Sequence, residues 1–252
     1  RQITNNYDMN FNKRPLIGIA GVKNSGKDTV ASMISFVHEC GTYSTFKKWY
    51  DNSEQYNRSI IHFADALKDC VSIVFNIKRP LLDDRNIKDA HYYNPATCEV
   101  IDDQAVIKGH ISKYSLEELR NLGMPNNECA IKIRHILQWF GTDICRNHIN
   151  ENIWVKVCMN RAQHLKHYNG FCIIADCRFQ NEVDAILKNG GVVFRINRED
   201  AGSKDAHASE DIAKLTDCID IDNNHGLIGL YYAVYDLSLI HISEPTRQEA
   251  IS

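Results

Sequence analysis

The sequence predicts an α/β protein in which a parallel sheet is wrapped by helices. Three observations carry that reading. Short apolar runs rich in β-branched residues alternate with stretches of helical periodicity, the pattern of strands joined by crossover helices. The first run, Leu16–Ala20, leads into a glycine-rich turn and then a helix, so strand, loop and helix follow in order. A second run, Phe171–Asp176, ends on a carboxylate, and in such folds ligands bind at the carboxyl ends of the strands.

The elements follow in chain order. Residues 1–14 are polar and Asn-rich and read as a disordered lead-in. The chain begins with Arg1, which leaves a fragment or a start at Met9 as readings. After the first strand, Val30, Ile34 and Val37 set a helix over 29–39. Residues 40–60 are polar and aromatic and read as loop. Phe63, Ala66, Leu67, Val71 and Val74 place a helix over 62–75. Residues 78–130 are polar and turn-rich, and read as an insertion or subdomain. Two amphipathic helices are expected over 131–146 and 152–165. The strand 171–176 is followed by a helix over 181–189 that Gly190-Gly191 caps. Val192–Ile196 is a further strand, 197–217 a charged loop, Cys218–Ile221 a short strand, and a last helix starts at Leu227.

Composition narrows the class. A chain of 252 residues suffices for one α/β domain carrying an inserted subdomain. Hydrophobic residues at 44% and charged residues at 24% are ordinary for a soluble globular protein. The formal net charge is −3 and no Lys/Arg block occurs, which argues against a nucleic-acid groove or an anionic membrane patch. The nine cysteines are odd in number and form no C-x-x-C, so neither a zinc ribbon nor a disulfide framework is expected. Free thiols point to a reducing compartment. No apolar run nears the roughly 18 residues of a membrane span, and no signal peptide is visible, so the expected location is the cytoplasm.

Gly21-Val22-Lys23-Asn24-Ser25-Gly26-Lys27 is G-x-x-x-x-G-K between a predicted strand and a predicted helix, the context that gives this motif its meaning. Glycines let the backbone wrap so that N–H groups of Gly21, Asn24, Ser25, Gly26 and Lys27 can point at phosphate oxygens. The helix N-terminus adds partial positive charge, and Lys27 reaches toward the β- and γ-phosphates. The usual Ser or Thr after the lysine is replaced by Asp28, and Thr29 follows. Asp28 can ligate or orient Mg²⁺, act near the acceptor oxygen, or merely favour the first helical turn.

Asp176 stands where a carboxylate would orient a metal-bound water or the acceptor; the alternative is an ordinary strand-end Asp. Arg178 has the planar fork that suits a phosphate. Glu182 falls one helical turn later, so the two can pair. Arg195 and Arg198 flank a strand end. Residues 202–207 read as a loop able to close over ATP and exclude water, against the alternative of a solvated loop. Trp154 lies in an apolar stripe with Ile153, Val157 and Leu165, a pattern that marks a core residue more often than a base platform.

The segments GVKNSGKDT (21–29), HFADALKD (62–69), LQWFGTDICR (137–146), NIWVK (152–156), ADCRFQNEVDAI (175–186) and DAHASE (205–210) together resemble the phage-type deoxynucleoside monophosphate kinases. The likeness is spread over most of residues 15–236; residues 78–130 match nothing in it. It implies an adenylate-kinase-like P-loop three-layer fold, with a monophosphate-binding subdomain within 60–150 and a lid over 197–212. It implies ATP phosphates at Lys27 and Arg198. It leaves the Mg²⁺ ligand open among the candidates Asp28, Thr29 and Asp176, and puts Lys68, Arg134, Trp154, Arg178 and Glu182 on the acceptor side. The implied partners are small nucleotides, with no nucleic acid or membrane and with a homodimer as an option.

The reaction so implied is transfer of the γ-phosphate of MgATP to a 5′-monophosphate oxygen, with Lys27, Asp28, Asp176 and Arg178 at its centre. The rivals are another small-molecule P-loop kinase, resembling phosphomevalonate kinase or dephospho-coenzyme A kinase, and an ATP-binding module without transfer. The likeness ends near Asp236. Residues 237–252, LSLIHISEPTRQEAIS, read as a translated sequencing adapter and are expected to be non-native and to break the last helix.

Overall fold

The glycine-rich loop is held at the end of a fully parallel sheet. The computed structural model describes residues 15–38, 42–51, 59–122, 129–199, 201 and 209–241. In chain order these form β1 (Leu16–Gly21), α1 (Lys27–His38), α2 (Tyr43–Asp51), β2 (Ile60–Ile61), α3 (Phe63–Val74), α4 (Arg79–Asp83) and α5 (Arg85–Ala90). Next come β3 (His91–Asn94), β4 (Glu99–Asp102), α6 (Asp103–Lys108), β5 (Ser112–Tyr114), α7 (Leu116–Leu122), β6 (Cys129–Lys132) and α8 (Ile133–Gln138). A π-helical segment (Trp139–Ile149) leads to α9 (Ile153–Asn169), β7 (Cys172–Cys177), α10 (Gln180–Lys188), β8 (Val192–Asn197), α11 (Ser209–Lys214), β9 (Ile219–Asp222) and α12 (Gly226–His241).

The chain divides into two compact units. The first comprises residues up to His62 and from Cys158 onward; the second is Phe63–Val157. In the first, five parallel strands lie in the order β2-β7-β1-β8-β9. All six residues of β1 are buried, because a central parallel strand is covered on both faces and therefore reads as an unbroken apolar run. Ile17 and Ile19 enter a core with Val30 and Ile34 of α1 and Leu230, Tyr231 and Val234 of α12. Gly18 faces the opposite way: a Cβ there would meet Ile186 Cδ1 of α10 at 2.6 Å and Val193 Cγ2 at 3.0 Å. Helices thus flank both faces, the three-layer α/β arrangement.

The helix α10 is closed as its sequence predicts. Gly190 sits at φ 71°, its N–H donates to the Leu187 carbonyl at 2.9 Å, and the Gly191 N–H donates to that of Ile186 at 3.0 Å. This is a Schellman stop, which needs the left-handed conformation that glycine adopts without strain.

Four expectations are corrected. Residues 43–51 form α2 rather than loop; Phe46 is fully buried in the first unit's core, and this one anchor fixes a helix whose other described side chains are mostly exposed. The charged stretch 197–217 contains α11. The helix expected over 131–146 begins only at Ile133, since Ile131 and Lys132 belong to β6, and from Trp139 it is π-helical. The last helix does not end at Asp236 but continues to His241. Leu237 packs against the same core as Val234 and Leu230, one and two turns earlier. The lead-in 1–14, the loop 202–207 and residues 242–252 lie outside the described residues.

The second unit holds a four-stranded sheet in the order β4-β3-β6-β5. Strand β3 is antiparallel to β4 and β6, and β5 is parallel to β6. Its core joins Val71, Ile77, Leu82, Tyr93, Leu119, Ile131, Ile133 and Ile136. At about 1.5–3 kcal/mol for each fully buried aliphatic side chain, this cluster is an apolar core in its own right, and Leu82, Tyr93 and Leu119 tie the stretch that reads as a turn-rich insertion into it.

Candidate active site

The loop between β1 and α1 has the backbone of a phosphate cradle. Asn24 at φ 67° and Gly26 at φ 98° alternate with residues of ordinary conformation, which turns successive N–H groups toward one side. A Cβ on Gly26 would meet Asn223 Nδ2 at 2.6 Å, so glycine is required there by space as well as by φ. The turn closes through the Ser25 N–H on the Val22 carbonyl at 3.2 Å, and α1 starts with the Val30 N–H on the Gly26 carbonyl at 2.9 Å. The Lys27 ammonium folds back over the loop and donates to the Val22 carbonyl at 2.7 Å. Ser25 is wholly buried, and its Oγ has no hydrogen-bond partner among the described residues. An orphaned buried hydroxyl costs on the order of 1–3 kcal/mol, and an anion in the cradle would satisfy it.

Asn223 escapes the sequence reading. Its side chain donates to the Ser25 carbonyl at 2.7 Å, and its N–H donates to the Asn197 carbonyl at 2.8 Å. The end of β9 is thereby tied both to β8 and to the underside of the loop. Only the asparagine pair after a predicted strand hints at this in the sequence.

Oxygen donors gather at the same sheet end. Asp28 is in the first turn of α1, its side chain exposed, with Oδ1 3.9 Å from Nε2 of His62. Thr29 follows it. Asp176 is on β7, which pairs with β1 in register Ala20↔Cys177. Two carboxylates and a hydroxyl are hard donors of the kind Mg²⁺ takes alongside phosphate oxygens and water, so these residues fit that ion. Between Asp176 and Arg178, Cys177 is fully buried; burial, with Glu182 and Asp176 nearby, pushes its thiol well above the ordinary range and leaves it inert.

Arg178 is exposed, and its guanidinium has no partner among the described residues. It lines a cleft with Phe179, Gln180, Lys214 and Leu215. Glu182 is buried at 2% exposure and its Oε2 accepts from the N–H groups of Arg178 at 2.7 Å and Phe179 at 3.2 Å. Glu182 thus bonds the Arg178 backbone rather than forming the expected side-chain pair, and it is a fixed support for the Arg178 turn. Arg198 is exposed just after β8, its carbonyl accepting from the Ala201 N–H at 3.1 Å. Arg195 is a structural residue: it clamps Asp220 of β9 at 2.6 and 2.8 Å and donates to the Leu215 carbonyl at 2.9 Å.

The remaining expected site residues belong to the second unit. The Lys68 ammonium pairs with Asp83 at 2.8 Å. Arg134 takes Asp89 in a two-pronged bond whose second contact is 2.9 Å. Trp154 is 5% exposed and packs with Ala66 and Cys145. Its indole N–H donates to the Gly141 carbonyl at 2.9 Å. The geometry favours the core alternative for Trp154 over a stacking platform, because the ring's polar edge is already satisfied inside the unit.

Residues 85–234 match the deoxynucleotide monophosphate kinase family. The chain belongs to that family. A deoxynucleotide monophosphate kinase of Enterobacteria phage T4 is 24% identical over 228 residues, covering 77% of this chain and 86% of that protein. A protein of Acanthamoeba polyphaga mimivirus, assigned the same name, is 34% identical over 87 residues, 31% of this chain and 45% of its own length. The family match includes residues 85–130, which the motif resemblance leaves unplaced, so the strands of the small mixed sheet lie within the matched segment. It begins after the phosphate loop, whose assignment rests on its own sequence and geometry. No described helix is long and apolar enough to cross a membrane.

Proposed function

We propose that this family member transfers the γ-phosphate of ATP to the 5′-phosphate of a deoxynucleoside monophosphate. The observation that carries the proposal is the cradle of residues 21–27, with the buried, unpartnered Ser25 hydroxyl and Lys27 folded over it. The bond between the γ-phosphorus and the β,γ-bridging oxygen breaks, a bond from that phosphorus to an oxygen of the acceptor phosphate forms, and ADP leaves. The acceptor oxygen is already ionised, so no strong base is needed.

The work of the protein is then positioning and charge neutralisation. The loop N–H groups and Lys27 hold the β- and γ-phosphates. The Arg178 guanidinium spreads positive charge over the group in transfer, and Glu182 keeps its turn in place. Arg198 holds the donor's phosphates, and Lys68 and Arg134 serve the acceptor. Mg²⁺, held by Asp28, Thr29 and Asp176, supplies further neutralisation of phosphate charge when bound.

The reading is tested by coupled ADP release with ATP and each common nucleoside and deoxynucleoside monophosphate. Turnover with at least one deoxynucleotide is expected. Turnover only with phosphomevalonate or dephospho-coenzyme A, or ATP binding with no transfer at all, would replace it by one of the two rivals.

A further inference from the structure

The cleft beside Arg178 is built from two turns at the carboxyl edge of the parallel sheet, both in the first unit. Cys177 is level with Ala20 where β7 pairs with β1, so the next residue, Arg178, comes level with Gly21, where the phosphate loop begins. On the other side of β1, Arg195 of β8 is also level with Ala20. Its guanidinium donates to the Leu215 carbonyl at 2.9 Å and to the Ala213 carbonyl at 3.5 Å. Neighbouring strands lie about 5 Å apart. One turn therefore extends from the strand on one side of β1, and the other is held by the strand on the opposite side.

Both turns are fixed by bonds to backbone groups. Glu182 accepts from the N–H groups of Arg178 and Phe179. The Gln180 amide spans the two turns: its oxygen accepts from the Thr216 N–H at 2.9 Å, and its nitrogen donates to Asp184 at 2.7 Å. The cleft so formed holds about 170 Å³ and is lined by Arg178, Phe179, Gln180, Lys214 and Leu215. Two of these five side chains are cations, two are apolar and none is a carboxylate. Sites for whole small-molecule ligands run to roughly 300–1,000 Å³, so this one suits a single charged group. Apolar walls keep out the water that would screen a charge, which strengthens the pull of both cations on an anion. A phosphoryl group has enough oxygens to take the Arg178 fork and the Lys214 ammonium at once.

We propose that Lys214 is a second cation on the phosphoryl group in transfer, sharing the cleft with Arg178, an assignment that rests on the transfer reaction proposed above. Lys214 donates hydrogen bonds to oxygens of that group and forms no covalent bond; the bonds made and broken are those already given. The plain alternative is an exposed lysine in the last turn of α11, favoured there by the helix dipole. Sequence does not single Lys214 out, because it follows the charged loop and lies in none of the segments that resemble the family. The bonds from Arg195 and Gln180 bring its turn to the same cleft as Arg178.

The test uses Lys214→Gln, which removes the charge, Lys214→Arg, which keeps it, Arg178→Gln, and the double variant Lys214→Gln with Arg178→Gln. Aluminium fluoride, a stand-in for the phosphoryl group in transfer, is titrated by calorimetry onto protein saturated with ADP, Mg²⁺ and a deoxynucleoside 5′-monophosphate. Steady-state constants and a thermal melt are measured alongside. Lys214→Gln should lower kcat and weaken fluoride binding, each by roughly tenfold to a hundredfold. Both Michaelis constants and the melting temperature should stay near wild type, and Lys214→Arg should recover most of the loss. Two cations on one group act as a unit, so the double variant should lose less than the product of the two single losses. Unchanged kcat and fluoride binding in Lys214→Gln would overturn the assignment. So would a double variant whose loss equals that product, or a loss that tracks a lowered melting temperature and is not recovered by Lys214→Arg. The two claims fail separately. Turnover that ignores Lys214→Gln removes Lys214 from the cleft's work and keeps the reaction. Lys214-dependent fluoride binding without transfer removes the reaction and keeps the anion site.

Discussion

Removing the Lys27 ammonium takes one cation from the phosphate loop, where it donates to the Val22 carbonyl of the same loop. Lys27→Ala should therefore lower turnover on the order of 10³-fold, several kcal/mol of transition-state stabilisation, with a nearly unchanged melting temperature. Steady-state kinetics beside a thermal melt checks both halves. Trp154 predicts the opposite split. Trp154→Leu opens a cavity and strands the buried Gly141 carbonyl, for a loss of roughly 2–4 kcal/mol in chemical denaturation. An unshifted midpoint with a raised Michaelis constant for the monophosphate would restore the platform reading. Lys27 was legible because its motif fixes backbone geometry locally. For Trp154 the apolar stripe pointed to the core and the resemblance to the acceptor side, and the packing favours the core. Asn223 acts through a neighbour far away in sequence, the Ser25 carbonyl, which no local pattern encodes.

At the scale of elements, the parallel strands were legible because burial on both faces leaves a continuous apolar signature, as in β1 and β7. The second unit's sheet was not: β4 has four residues with none of them buried, and β5 has three residues with one of them buried. Short strands of that kind carry too little periodicity to stand out from turns. The pair β8–β9 also yields a pH dependence. The hydrogen bonds from Arg195, and secondarily from Asn197, hold the Asp220 carboxyl below the ordinary carboxylate range. A depressed carboxylate contributes stability that is present above its unfolded pKa, about 3.9, and is lost as pH falls through the lower folded value. Wild type should thus lose stability relative to Asp220→Asn as pH drops from about 5 to below 4. The difference is expected to stay under about 1 kcal/mol, because the Asp220 side chain is half-exposed and solvent screens it. Denaturation midpoints of the two proteins across that range measure it; parallel curves would contradict the assignment.

For the molecule as a whole, thiol reactivity reports whether the parallel sheet is intact. Burial pushes the Cys172 thiol up to about 12 and raises Cys177 well above its ordinary value, while Cys70 and Cys98 are exposed. Brief alkylation of the native protein at neutral pH, read by peptide mass spectrometry, should modify Cys70 and Cys98 and spare Cys172 and Cys177. Early labelling of either β7 cysteine would contradict the sheet order. The central claim remains the reaction, and coupled ADP release tests it most directly. With ATP and Mg²⁺ present, the account predicts release that requires a deoxynucleoside 5′-monophosphate and is nearly abolished by Lys27→Ala. Release that ignores the monophosphate, or that persists at the wild-type rate in a folded Lys27→Ala protein, would contradict it.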